Sequence, residues 1–172
     1  WCIARKAKHY VMLLMDAFDQ AAVMVEAIKA ELEVNPRLAM DFPEMSGKGA
    51  VWKEGVIVTT NGIKVEGAGA GKKIRGRRHG PHRPDLARLD DIENDENGRE
   101  PKQRDKLEGW VNKAVLNLGE AGGSLDVIII GTVLGIGAIS CSGFYLSMMG
   151  GNVALVPWMC VMLAVAVIFT YV

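Results

Sequence analysis

VIIIGTVLGIGAISCSGFYLSMM (residues 127–149) and VALVPWMCVMLAVAVIFTYV (residues 153–172) are separated only by Gly150-Gly151-Asn152, and neither run holds a charged side chain. A helix needs about 20 apolar residues to cross roughly 30 Å of hydrocarbon, and each run is long enough. Inside lipid every backbone N–H and C=O must be satisfied within the segment, so residues 125–172 read as a transmembrane helical hairpin. The expectation is a mainly α membrane protein. Gly131 and Gly135 form a G-x-x-x-G that lets helices approach closely, either the second run or a second copy in a homo-oligomer. Without a carboxylate, amine or imidazole in either run, a proton or ion pathway has no support.

Immediately upstream, Leu107, Trp110, Val111, Ala114, Val115 and Leu118 recur at helical spacing, with Lys106 and Lys113 beside them. A Trp-bearing amphipathic segment before a span fits a helix over 107–123 lying in the membrane interface, with Leu107, Trp110, Val111 and Ala114 toward the lipid bilayer. Lys102, Arg104, Lys106 and Lys113 precede the first run, and the turn and C-terminus carry no cation. By the positive-inside rule the N-terminal part is then cytosolic in a multi-pass protein.

Among 172 residues the 20 basic and 20 acidic side chains cancel, so net charge points to no partner. The local pattern is sharper. Residues 72–83 hold six bases and no acid, while 90–96 hold five acids and no base. With the glycines of 67–71, this composition predicts a flexible charged linker over 68–106. Within it, Arg75, Arg77 and Arg78 form R-x-R-R, readable as a solvated patch, a contact for anionic lipid or RNA, or a furin-type cleavage site. No specific nucleic-acid partner is expected.

Catalytic material is scarce. His9, His79 and His82 have no nucleophile beside them, and His79-Gly-Pro-His82 lacks companions at a metal spacing. Gly67-Ala-Gly-Ala-Gly71 is followed by basic coil, so it does not read as a phosphate cradle. The expectation is no catalytic residue, no metal and no cofactor. Of three cysteines, Cys141 and Cys160 lie in the apolar runs, and no Asn-x-Ser/Thr occurs. Both suit a reducing compartment. The start at Trp1 reads as excision from a longer precursor, and no signal-peptide pattern follows it.

Residues 1–42 read as an amphipathic helical region. Val11, Leu14, Phe18, Ala22, Val25 and Leu32 share a helical stripe over 10–33, ended by Asn35-Pro36. The period then becomes two. Val56-Ile57-Val58-Thr59-Thr60 and Ile63-Lys64-Val65-Glu66 flank Asn61-Gly62, a strong hairpin signal. A two-residue loop there pairs Thr60 with Ile63, Thr59 with Lys64 and Val58 with Val65. One face then carries Val56, Val58, Ile63 and Val65, and the other Ile57, Thr59, Lys64 and Glu66. A lone hairpin is marginal in water and needs a surface to complete it.

Glu31-Leu32-Glu33, then Asp41-Phe42-Pro43-Glu44-Met45-Ser46-Gly47, then the Asn-Gly hairpin, form an order that resembles the hydrophilic region of flavivirus nonstructural protein 2B. That family is the membrane-bound cofactor of the viral serine protease, and Pro157-Trp158 also looks like its final segment. The resemblance implies β-augmentation of the protease within the same polyprotein, at the host endoplasmic reticulum membrane. Glu44, Met45, Ser46, Gly47, Val51, Trp52, Val56, Ile57 and Val58 would be the added strand. Ile63 and Val65, beyond Asn61 and Gly62, would return beside the active site. Such a chain is a non-catalytic anchor and cofactor. A weaker resemblance runs to the flavivirus precursor membrane protein, with its membrane hairpin and furin site. Another runs to the membrane-remodelling nonstructural protein 4A.

Overall fold

Tyr10–Met15 (YVMLLM) forms strand β1, buried along almost its whole length. A short apolar run cannot be told from a buried helical stretch by periodicity alone. Both faces of this run are covered, the environment of a strand inside a parallel sheet. The expected helix over 10–33 is therefore corrected to β1 followed by helix α1, Phe18–Val34. The computed structural model describes residues 1–93 and 100–130. It continues with helix α2 (Pro36–Asp41), a 3₁₀ turn at Pro43–Met45, and strands β2 (Val51–Lys53), β3 (Val56–Val58), β4 (Lys64–Gly69) and β5 (Leu86–Asp90). Helix α3 (Pro101–Trp110) runs into a π-helical turn, Val111–Val115, and strand β6 (Asp126–Ile130) follows. Asn35 sets two boundaries. Its N–H closes α1 on Glu31, while its side-chain oxygen accepts from the amides of Arg37 and Leu38 to open α2, with Pro36 in the first turn.

The strands make one mixed sheet in the order β2-β3-β4-β1-β5-β6. β4, β1, β5 and β6 are mutually parallel, and β3 and β2 add on antiparallel beside β4. Alternation along β1 splits the core in two. Tyr10, Met12 and Leu14 pack with Ala87, Leu89, Val111, Val115 and Leu118, under the π-helical turn that ends α3. Val11 and Leu13 pack on the opposite face with Val25, Leu32, Ile57, Val65 and Leu86, under α1. Each fully buried Leu or Val contributes about 1.5–3 kcal/mol.

This architecture overturns the mainly α membrane fold. Val127, Ile128, Ile129 and Ile130, expected to open the first span, pair in parallel with β5 as the sheet's sixth strand. Among the described residues no helix is long and apolar enough to cross a membrane. The multi-pass placement at the endoplasmic reticulum, with its cytosolic N-terminal part, is corrected accordingly. The rest of the apolar stretch, including Gly131, Gly135 and the second run, lies outside the described residues. The supposed interfacial helix is spent on the sheet: Val111, Ala114, Val115 and Leu118 are buried against it, with Leu107 and Trp110 half-buried beside them. Its apolar stripe is satisfied by protein, not lipid. Nor is 68–106 a linker throughout, since the end of β4, all of β5 and the start of α3 fall within it.

The hairpin forms, one residue out of the expected register. Val56 pairs with Glu66, Ile57 with Val65 and Val58 with Lys64. The Thr59 amide donates to the Ile63 carbonyl (2.9 Å), and the Thr59 hydroxyl donates to that carbonyl and accepts from the Ile63 amide. Thr60, Asn61 and Gly62 thus make a three-residue loop, with Gly62 at φ +87. A one-residue slip exchanges the faces. Ile57, Thr59, Ile63 and Val65 are buried, and Val56 and Val58 only half-buried. β1 completes the hairpin's open edge along β4.

Candidate functional site

The chain leaves the neighbouring parallel strands β1 and β5 in opposite directions. After β1 it covers one sheet face with α1 and returns on the β4 side. After β5 it covers the other face with α3 and returns as β6. In open α/β sheets, ligands bind in the crevice outside the carboxyl ends of strands where the order reverses. Leu14 pairs with Leu89, so Met15-Asp16 and Asp90-Asp91 leave the sheet side by side at that crevice.

Asp90 and Asp91 follow one another there at the end of β5. Asp90 ends β5 and accepts a hydrogen bond from Arg88 Nη2 at 2.7 Å, with a quarter of its side chain exposed. Asp91 is exposed and sits at φ +47, a left-handed conformation that Asp tolerates better than most residues. Its amide donates to Ile130 at the end of β6 (3.0 Å). Ile92 is buried and holds the turn to the core, which leaves Glu93 half-buried beside it. Backbone strain of this kind at a strand end is common at functional sites. A shallow depression lined by Leu13, Leu14, Met15, Met24, Arg88 and Asp90 runs from the acids onto the α1 face.

The Gly67–Gly71 stretch runs from β4 into the turn beside the end of β1. Gly67 and Gly69 belong to β4, where α1 crosses so closely that a Cβ on Gly69 would stand 2.9 Å from the Phe18 nitrogen. Beyond it, the Ala70 amide donates to the carbonyls of Met15 (2.7 Å) and Asp16 (3.2 Å), tying this turn to the end of β1.

A second polar cluster lies under the basic loop, on the α3 face. Glu66 is buried and accepts from the Tyr10 hydroxyl, and it pairs with Lys64 (2.9 Å) and Arg77. Burial pushes the Tyr10 phenol up to about 12, partly offset by Arg77. Burial, and then the Arg77 guanidinium, hold Lys64 below its usual range. Arg77 is thus a structural tie, whereas Arg75 and Arg78 are exposed. All three histidines meet near the amino ends of β1 and β4. His9 and His82 stack at 4.1 Å, and His79 lies edge-on to Tyr10.

The residues assigned to strand donation are dispersed. The Glu44 carbonyl accepts from Thr60, Met45 is buried, Ser46 bonds the Phe42 carbonyl, and the Gly47 amide bonds Leu32. Val51 and Trp52 lie in the edge strand β2, with Trp52 Nε1 donating to Glu33. Among the described residues no group of three or more His, Cys, Asp or Glu is arranged as a ready metal cage. Along the chain 90–96 reads as a solvated charge run and Asp16 as a polar position of the expected helix over 10–33, so Asp16, Asp90, Asp91 and Glu93 carry no site signal there. The usable signal was the apolar stretch just before the acids, and Arg88 interrupts it. Comparison with protein-family models, curated proteins and solved structures found no match.

Proposed function

We propose that the crevice at the carboxyl ends of β1 and β5 takes a nucleoside triphosphate with Mg²⁺, and that the chain serves nucleotide hydrolysis. One observation carries this reading. The strand order reverses between β1 and β5, and at that point the core strand β5 ends in Asp90-Asp91. An apolar strand ending in aspartate is how P-loop nucleotidases hold their magnesium. The donor set fits, since Mg²⁺ prefers one or two carboxylates and takes its remaining ligands from water and phosphate. Asp90 and Asp91 would hold the ion, which when bound neutralises charge on the phosphates. Glu93, two residues on, would orient and deprotonate a water. The sequence contains no G-x-x-x-x-G-K-[ST] run. These residues therefore supply the metal-holding half of such a site.

The test is a fluorescent nucleoside triphosphate titrated onto the full chain with Mg²⁺ or with chelator. Asp90→Asn and Asp91→Asn should each weaken magnesium-dependent binding at least about tenfold, the loss of one charged contact. Binding that ignores both substitutions, or ignores the chelator, overturns the reading.

A further observation bears on what hydrolysis would serve. Lys72, Lys73, Arg75 and Arg78 are exposed on a loop held down by buried Ile74, the Arg77–Glu66 pair, and Trp110 Nε1 donating to the Lys72 carbonyl at 2.9 Å. Cations on an ordered loop suit a regularly charged polyanion, and nucleic acid is the partner we propose for it. Lys72→Ala with Lys73→Ala should lower the slope of log affinity against log salt by about 2, near 0.9 per lost phosphate contact. An unchanged slope contradicts it. The protease-cofactor reading drew on an unfinished hairpin. In this chain β1 completes that hairpin and β3 is interior, so within the segment assigned to strand donation the sheet edge is the three-residue β2.

A further inference from the structure

His9 and His82 come together from distant parts of the chain. His9 precedes β1, and His82 ends the turn at the foot of the basic loop. Their rings stack at 4.1 Å with 13° between the planes. Asp85 Oδ2 accepts from the His9 amide at 2.7 Å and lies 3.2 Å from His9 Nδ1, while Oδ1 accepts from the Tyr10 amide at 2.9 Å. His82 exchanges two backbone hydrogen bonds with His79, at 2.8 and 3.0 Å. His79 Nε2 in turn sits 3.0 Å from the Gly62 carbonyl oxygen. His9 has one face against His82 and one edge on Asp85, yet 58% of its side chain is exposed. Its outer face is therefore open to solvent. Exposed cations share this end of the sheet, with Arg5 and Lys6 in the turn before His9 and Arg78 next to His79. Asn61 Nδ2 donates to the Ile3 carbonyl (2.8 Å), tying that turn to the hairpin loop that also meets His79. The acids here are engaged: Asp85 by His9, Asp126 by Lys8 at 2.7 Å, and Glu66 by Lys64 and Arg77.

We infer that the outer face of His9 is a stacking platform for a nucleobase, so that the nucleic acid bound here is single-stranded; this rests on the basic loop binding nucleic acid. A duplex offers base edges and phosphates, and only an unpaired base offers its flat face. Aromatic rings beside a basic surface hold single strands without sequence preference. A ring already fixed by Asp85 and His82 loses little freedom when a base settles on it. Arg5, Lys6 and Arg78 then supply charge for the flanking phosphates.

The test titrates a fluorescent oligouridylate, and a duplex of equal length, onto the full chain at pH 8 and several salt concentrations. His9→Ala should weaken oligouridylate binding about tenfold at each salt concentration, the worth of one stacked base. Duplex affinity and the salt slope should not move, because no phosphate contact is lost. His9→Phe keeps a flat ring and should recover most of the loss. His9→Gln keeps a donor for Asp85 without a ring and should not. Thermal melts confirm folding, and His9→Gln stands in for His9→Ala if the latter is unfolded. Unchanged oligouridylate affinity, or equal losses for strand and duplex, overturns the inference. The loop reading survives that outcome if Lys72→Ala with Lys73→Ala still lowers the salt slope. If wild type binds neither nucleic acid, the loop reading fails and the inference with it.

Discussion

Tyr10 begins the buried strand β1, yet its hydroxyl ends on a charged cluster, and pH reads that conflict directly. The phenol is raised from near 10 to about 12 by burial. Its contribution to stability is present below the unfolded value and lost as pH rises toward 12, roughly 2–3 kcal/mol in all. Lys64, displaced downward, acts oppositely, since deprotonating it up to pH 10.5 relieves a buried charge. Urea melts from pH 9 to 12 should show wild type losing stability more steeply above pH 10 than Tyr10→Phe. Parallel curves would contradict this. Gly67 sets a tighter constraint, because a Cβ there would stand 3.0 Å from the Ala21 side chain and 3.1 Å from its backbone. Gly67→Val should cost about 1–3 kcal/mol by overpacking the α1–β4 contact, measured by chemical denaturation. Neither constraint is legible along the chain. Tyr10 looked like the start of a helix, and Gly67 like the start of a flexible linker.

Helices and turns were more legible than strands. The stripe Ala22, Val25 and Leu32 identifies the buried side of α1, and the spacing of Val111, Ala114, Val115 and Leu118 marks the apolar side of the segment after α3. What covers such a stripe is not written in its spacing, and this one meets a sheet. Val115→Asp should therefore destabilise the fold by roughly 3 kcal/mol or more, by burying an unpaired charge, and a melt that stays unchanged would return the stripe to another partner. Asn61-Gly62 marked its turn correctly, but Thr59 widened the loop and shifted the register. Ile57→Ala should cost about 2–5 kcal/mol and Val56→Ala far less, because only Ile57 is fully buried. The reverse order would restore the two-residue loop. β1, β5 and β6 escaped notice because both of their faces or one edge meet residues distant in sequence. A local period carries no trace of that pairing.

At the scale of the molecule, the parallel sheet is what turns scattered acids into a candidate site. Asp16 and Asp90 are far apart in sequence, and only the β1–β5 pairing makes them neighbours. The same topology explains the misread apolar stretch, since VIII at 127–130 is as good a sheet strand as a helix start when read alone. The most direct test follows Mn²⁺ paramagnetic broadening of backbone amides in the full, isotope-labelled chain. The prediction is selective loss of signal around Asp16, Asp90, Asp91 and Glu93, abolished by Asp90→Asn and reversed by Mg²⁺. Broadening centred on other acidic residues, or spread evenly over the surface, would contradict a metal–nucleotide site at the head of this sheet.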